Sequence, residues 1–346
     1  MLIIVNRLGR SHIAFLALFM LFQLHTVSNS AEYASTYFNS GHNSFRQHEY
    51  NKAIKEFSKA IQLDSKHVKS YIFRGDSYGR IGEFDNAIKD YTEAIKLTPK
   101  DHAIYTKRGS AWSQKRKYDK ALSDYSEAIK LNPKSSDAYN SRGIAYSGKG
   151  EYDKAIKAYT TAISLDIKNS TAYSNRGTAW GNKGNYDKAI ANYTLAMLFD
   201  WNNAHACNSR GVAYKFKGEY SKAIRDYKKA AQIDPENKWI YDQHAWLLAT
   251  CVDETYRNGE KAVELAEKSC RLTEWKNARF ISTLSAAYAE AGNFEQAVKH
   301  EERAINLTEL EEDKSKFQTR LTFYQSGKPF HEKTPDQSVK NKNSDD

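Results

Sequence analysis

Chemistry-bearing residues are sparse and scattered in this chain. Its ten histidines form no HExxH pattern and no Cys/His ligand spacing, which excludes the common metal-site motifs. No phosphate-binding loop and no G-x-S-x-G elbow occur, and the nearest glycine cluster, Gly148 and Gly150, belongs to a turn between helices. Carboxylate pairs fall on exposed helix faces, where solvation accounts for them. There are three cysteines in 346 residues. Cys207 stands where tyrosine stands elsewhere and reads as a packed apolar side chain, while Cys251 and Cys270 fall at opposite ends of a helical hairpin, too far apart for a bridge. The formal charge is +10, yet no block of five or more Lys/Arg stands apart from the accompanying acids, so nucleic acid is not an expected partner. No catalytic group, cofactor or metal is expected.

What is present is periodicity. A glycine returns every 34 residues, at Gly41, Gly75, Gly109, Gly143, Gly177 and Gly211. A fixed period of this size marks an array of units whose neighbours bury each other's hydrophobic faces. Four residues before each glycine stand Tyr37, Tyr71, Tyr105, Tyr139, Tyr173 and Cys207, and three residues after stand Tyr78, Trp112, Tyr146, Trp180 and Tyr214. Offsets of −4, 0 and +3 share one stripe of a helix. At +12, +16 and +19 come Ala, an aromatic and Ala, as in Ala155, Tyr159, Ala162 and Ala189, Tyr193, Ala196, which predicts a second helix. Small residues facing small residues would let the pair approach closely, with the aromatics filling the sides. Such an approach would compensate the ~1 kcal/mol by which a helix interior disfavours glycine. Gly150, Gly184 and Gly218 fall in the intervening turns, and Pro99, Pro133 and Pro235 close their units because proline cannot continue a helix. Of 23 tyrosines, 20 lie at offsets −4, +3, +9 or +16, so packing rather than base stacking claims them.

This pattern resembles the tetratricopeptide repeat family over roughly Ala34 to Leu307. The resemblance implies an all-α fold, a right-handed superhelical solenoid of antiparallel helix pairs. Six regular units cover 34–237 and two degenerate ones 238–307, giving an array over 31–307. In the seventh unit Ala245 replaces the glycine and five extra residues precede Ala262; the eighth is marked by Leu284, Tyr288, Ala297 and Ala304. A capping helix is predicted over 308–326, with Phe317, Leu321 and Tyr324 on one face, followed by a disordered polar tail at 327–346.

The chain departs from the family just before the glycine, where Leu is usual and Arg74, Arg108, Arg142, Arg176 and Arg210 stand instead. Fifteen residues after the glycine come Glu56, Asp90, Asp124 and Asp226. Arg–carboxylate pairs could close within a unit or between units. The first unit has Glu56 but Ser40 in place of the arginine, which favours pairing between units, Arg74 with Glu56 and Arg142 with Asp124. Arg176 meets Ala158 or Asn192 under either scheme and is kept as a candidate for function.

The resemblance implies ligand binding on the concave side, at offsets −3, +1 and +4. The candidate groove residues are Thr106, Ser110, Asn140, Ser147, Ser174, Thr178, Asn208 and Lys215, with Arg176 beside them. Small polar side chains leave room for an extended peptide or helix and can pair with its amides. At the N-terminus, Arg7 and Arg10 precede an apolar stretch from Ile13 to Leu24, short of the ~20 residues of a membrane span, and Ser28 and Ser30 suit cleavage before Ala31. Residues 1–30 therefore read as a signal peptide of an exported, periplasmic or secreted protein, the alternative being an anchor through 13–27. The expected function is a non-enzymatic scaffold or adaptor for a protein or peptide partner. The alternatives are an anchored envelope adaptor and a binder of an anionic polymer.

Overall fold

A computed structural model describes residues 30–333; residues 1–29 of the predicted signal peptide and residues 334–346 of the predicted tail lie outside them. The described residues form α-helices, one 3-10 turn and no strand. The chain divides into two compact units, one ending at Leu165 and the other starting at Asp166.

The first unit holds α1 (30–46), α2 (Tyr50–Leu63), α3 (Val68–Arg80), α4 (Phe84–Leu97), α5 (His102–Gln114), α6 (Tyr118–Leu131), α7 (Ser136–Gly148) and α8 (Tyr152–Leu165). The second holds α9 (Ser170–Asn182), α10 (Tyr186–Phe199), α11 (Ala204–Phe216), α12 (Tyr220–Ile233), α13 (Lys238–Thr250), α14 (Gly259–Arg271), α15 (Ala278–Glu290), α16 (Phe294–Leu307) and α17 (Glu311–Gln325). Odd-numbered helices through α15 are the first, or A, helices of their repeats, and even-numbered ones are the B helices. Each described A helix from α3 onward packs on its own B helix, and within each unit B packs on the next A. A helices also touch one another, α5 with α7 in the first unit, and α9, α11, α13, α15 and then α17 in succession in the second. An A-helix face therefore runs through the second unit, and α5 and α7 share one in the first.

The glycine is explained by a ring. A Cβ at Gly143 would stand 2.5 Å from Tyr159 Cε1, and at Gly41, Gly75, Gly109, Gly177 and Gly211 it would stand 2.7–2.8 Å from the aromatic at +16. The expected contact of small residue on small residue is thus corrected: the buried aromatic of the B helix lies on the glycine, and the alanines flank it. The turn between the helices needs a left-handed residue. Gly82, Gly150, Gly184, Gly218 and Gly292 supply it at φ 76–82°, while His48 and Arg116 adopt it without being glycine. A helices open on side-chain caps, Asp101, Ser135, Asn169, Asn203, Asn237 and Asn277 each accepting from a backbone N–H of the first turn.

The arginines pair within their repeats, not between them. Arg74 Nε and Nη2 donate to the two oxygens of Asp90 at 2.8 and 2.7 Å, and Nη1 donates to Ser58 of the preceding B helix at 2.9 Å. Arg108 does the same with Asp124 and Thr92, and Arg210 with Asp226 and Thr194. The hairpin brings offsets −1 and +15 of one repeat face to face, and the neighbour is reached through a hydroxyl instead. Glu56, expected to meet Arg74, bonds Lys59 on its own helix. Arg142 does not meet Asp124, whose oxygens Arg108 holds. It stacks over Tyr139 at 4.9 Å, and its buried Nε has no hydrogen-bond partner because Ala158 stands where the aspartate would be. Arg176 Nε donates to Asn192 Oδ1 at 2.7 Å.

The last two repeats pack differently. Ala245 and Ser285 occupy the glycine's place, with Ala266 and Glu301 opposite. A denser aliphatic and aromatic core, including Leu247, Leu265, Phe280, Ile281 and Leu284, fills the space. Glu301, fully buried, accepts from Arg320 Nε of α17 at 3.0 Å and from Ser282 Oγ at 2.8 Å. Helix α17 buries Phe317, Leu321 and Tyr324. The insertion forms the 3-10 turn Glu254–Tyr256, and Gly259 behind it lies so close to the backbone of Glu290 and Ala291 that a Cβ would come within 2.6 Å of Ala291 Cα. All three cysteines are free and buried. No helix among the described residues is long and apolar enough to cross a membrane.

Candidate functional site

The small polar residues predicted to line a groove do lie on A helices, but their hydroxyls are largely engaged within the protein. In the first unit, Thr106 Oγ1 donates to His102 O at 3.1 Å and Ser110 Oγ to Thr106 O at 2.9 Å. Tyr125, whose ring lies on Gly109, donates its hydroxyl to Ser110 at 3.3 Å, and Ser147 meets the Tyr159 hydroxyl at 3.3 Å. In the second unit, Thr178 Oγ1 donates to Ser174 O at 3.2 Å and accepts from Tyr193 at 3.1 Å, while buried Ser174 meets His205 Nδ1 at 3.0 Å. These hydroxyls therefore have partners within the protein. A ring seated on the glycine carries its phenol to offset +1 or +4, and Ser110 and Thr178 at offset +1 also bond the carbonyl four residues back. Burial raises the Tyr125 and Tyr193 phenol pKa values and pushes that of Tyr159 up to about 12, so these groups serve as neutral donors.

Three predicted residues other than Lys215 carry no hydroxyl. Asn140 is half-buried on α7. Asn208 on α11 keeps a buried Oδ1 with no hydrogen-bond partner. Arg176 turns to Asn192 on its own B helix and away from the row formed by Ser174 and Thr178.

Lys215 is the residue around which a site assembles. Its side chain is only 10% exposed and its Nζ donates to Glu332 Oε1 at 3.0 Å. Trp246 Nε1 donates to the same oxygen at 2.7 Å. The Glu332 N–H donates to Thr250 O, an orphan carbonyl at the end of α13, at 2.8 Å. His331 Nε2 lies 2.6 Å from Glu290 Oε2 at the end of α15, and Glu290 also accepts from Arg257 Nε at 3.0 Å. Phe330 packs on Phe323 and Trp246, with ring centroids 5.8 and 6.4 Å away, under the Arg320 guanidinium. Residues 327–333, expected to share the disorder of the polar tail, instead run as an extended strap across α17, α15, α13 and α11. The turn that starts it is local: Gly327 at φ 69° ends α17, and Lys328 N bonds Phe323 O at 3.0 Å.

Sequence reasoning found Lys215 and missed Trp246, Thr250 and Glu290. The signal was available: with Ala245 as origin, offset +1 of the seventh repeat is Trp246, the bulkiest side chain in that row. No grouping of three or more His, Cys, Asp or Glu among the described residues could hold a metal ion. A surface hollow of about 500 Å³ beside Ser221, Arg225 and Lys229 on α12 is lined mainly by solvated polar side chains.

Family profiles described as tetratricopeptide repeat match residues 34–67, 136–169 and 204–237, and one described as TPR repeat matches 75–115 and 113–150. The chain belongs to the tetratricopeptide repeat family. Among solved structures of such repeat proteins, the APC/C hetero-tetramer Cut9-Hcn1 matches with a TM-score of 0.62 at 16% identity, over 82% of this chain and 54% of that one. PilF of Pseudomonas aeruginosa matches with a TM-score of 0.52 at 15% identity, over 62% of this chain and 97% of that one. A MamA protein matches at 28% identity over 50% of this chain and 94% of that one, with a TM-score of 0.43. A comparison with curated proteins gives no significant match. The first two likenesses concern the fold. As a tetratricopeptide repeat array, the chain is built as an interaction scaffold.

Proposed function

We propose that this protein binds a segment of a partner protein along the A-helix face and has no catalytic activity of its own. The observation that carries the reading is the strap across α11, α13 and α15: an extended chain lies on the A-helix face of the second unit, held by one main-chain bond and a few side chains. Recognition of this kind takes affinity from the backbone and specificity from spaced side chains. The partner is a protein in the compartment reached through residues 1–30, acting as an export signal; function within the fold lies in the site and not in the array as such.

Position-dependent crosslinking tests the face. A photoreactive residue replacing Ile144, exposed at offset +1 of α7, is expected to capture the partner. The same residue replacing Leu198, exposed on B helix α10, is expected to capture none. Equal capture from both positions would overturn the reading.

A further inference from the structure

The strap is a ligand as well as a part of the fold. We propose that Lys215, Trp246, Thr250 and Glu290, with Arg320 above them, form a recognition site for a peptide carrying an aromatic residue two positions before a carboxylate. Phe330 and Glu332 of this chain occupy it in cis, and a partner segment of the same chemistry displaces them. This inference rests on the A-helix reading above and adds the ligand's identity.

Three features make the seat a built one. First, two donors from different helices, Lys215 Nζ on α11 and Trp246 Nε1 on α13, converge on one carboxylate oxygen at 3.0 and 2.7 Å. A lysine with 10% of its side chain exposed is poorly solvated, so the site demands an anion and not merely a polar group. Second, Thr250 O reads the peptide N–H of the acidic residue, fixing the strap's register without regard to side chain. Third, the aromatic pocket is rigid. Arg320 lies 5.1 Å from the Trp246 ring and 6.0 Å from the Phe330 ring, and it is itself held by buried Glu301. The intervening His331 faces Glu290, so a basic or neutral donor suits the middle position.

The occupant is held less firmly than the seat. Glu332 remains 37% exposed and Phe330 is half-buried, in contrast to Phe317, Leu321 and Tyr324 of α17, which are buried. A segment with one main-chain bond and three side-chain anchors can leave without opening the core. Its advantage over a free peptide is proximity: a short linker gives an effective concentration on the order of 1 mM.

The test uses the full chain and a fluorescent peptide of residues 326–333, followed by anisotropy. Phe330→Ala/Glu332→Gln opens the seat; Phe330→Ala alone replaces it should the double variant lose its thermal transition. The opened, folded chain is expected to bind the peptide at least about tenfold more tightly than the unaltered chain, whose own strap competes. Peptides carrying Phe→Ala or Glu→Gln, and an opened chain with Lys215→Met, should each lose about tenfold or more. A folded, opened chain that ignores the peptide at about 1 mM would overturn the inference, because a strap of that affinity could not be held in cis. Equal binding of all three peptides would overturn the ligand chemistry. Partner capture from Ile144 without peptide binding removes this inference alone; peptide binding without capture removes the reading above alone.

Discussion

The six regular repeats and the two that follow them solve the same packing problem in opposite ways. In a regular repeat the A helix gives up its side chain at the glycine and the B helix delivers a ring into the space. In the eighth repeat Ser285 stands at the glycine's place and Glu301 at the ring's, and a carboxyl group now occupies a fully buried position of the hairpin. There it is met by Ser282 of its own repeat and by Arg320, which α17 brings to it. The regular hairpin fills its glycine site with a ring of its own, whereas the eighth depends on a helix outside the repeat. The strap's seat is built on that dependent region, since the arginine that neutralises Glu301 also roofs the aromatic pocket.

Breaking the dependence should have the largest effect. Arg320→Ala leaves Glu301 buried and unpaired, with an expected loss of about 3–5 kcal/mol in chemical denaturation. A loss below 1 kcal/mol would mean that the charge is relieved some other way and that the two regions are less distinct than their packing implies.

The seventh repeat adds a pH dependence through two residues of α13. Burial lowers the His244 pKa to about 4, so the stability it contributes is full above its ordinary value of 6.5 and is lost as pH falls toward 4. Burial raises the Asp242 pKa to about 6, so its contribution is full below its ordinary value of 3.8 and is lost as pH rises through 6. Between pH 4 and 6 the two slopes oppose each other. His244→Gln should unmask the carboxylate, making the protein more stable at pH 4.5 than at 6.5 by about 2 kcal/mol relative to the parent's own change, measured by thermal unfolding across that range. An unchanged profile would deny His244 this role.

In the regular repeats, Gly143→Ala gains helix propensity but drives a methyl into the Tyr159 ring, where the nearest carbons would stand at 2.5, 2.7 and 2.9 Å. Overpacking should win, for a net loss of about 1–2 kcal/mol in the denaturant midpoint. Increased stability would show that the ring can move, and the contrast with Ala245 would vanish.

The smallest expected effect is a gain. Ala158→Asp supplies the carboxylate missing beside Arg142, whose buried Nε has no partner, and should restore the fork seen at Arg74, Arg108 and Arg210. About 1 kcal/mol of stabilisation is expected, read as a shift in midpoint at constant slope. No gain would limit the forks to a role in specificity.

The helices were legible because their signal repeats: an offset seen six times reports a face even where one residue is ambiguous. Which partner a face meets is not periodic information. Offsets −1 and +15 share an edge with either neighbour, and the missing arginine at Ser40 pointed the wrong way because the link between repeats runs through Ser58, Thr92 and Thr194. The groove hydroxyls were placed on the correct helices, but their occupation by tyrosine phenols depends on how far a ring leans over the glycine. The strap had no periodic signal at all. Its recognition lies in Phe330 and Glu332, single residues in a polar stretch, and only Lys215 and Trp246 at their row positions mark where it lands.

The closure of glycine–ring contact and arginine fork inside one repeat also bears on how such an array changes length. A regular unit lost or duplicated takes its own ring with it and, in the repeats of Arg74, Arg108 and Arg210, its own aspartate, and the new neighbours need offer little more than a hydroxyl at the join. The regular part can therefore grow or shrink by whole units over evolutionary time. The eighth repeat has lost that interchangeability: a copy placed elsewhere would bury a glutamate with no arginine to receive it.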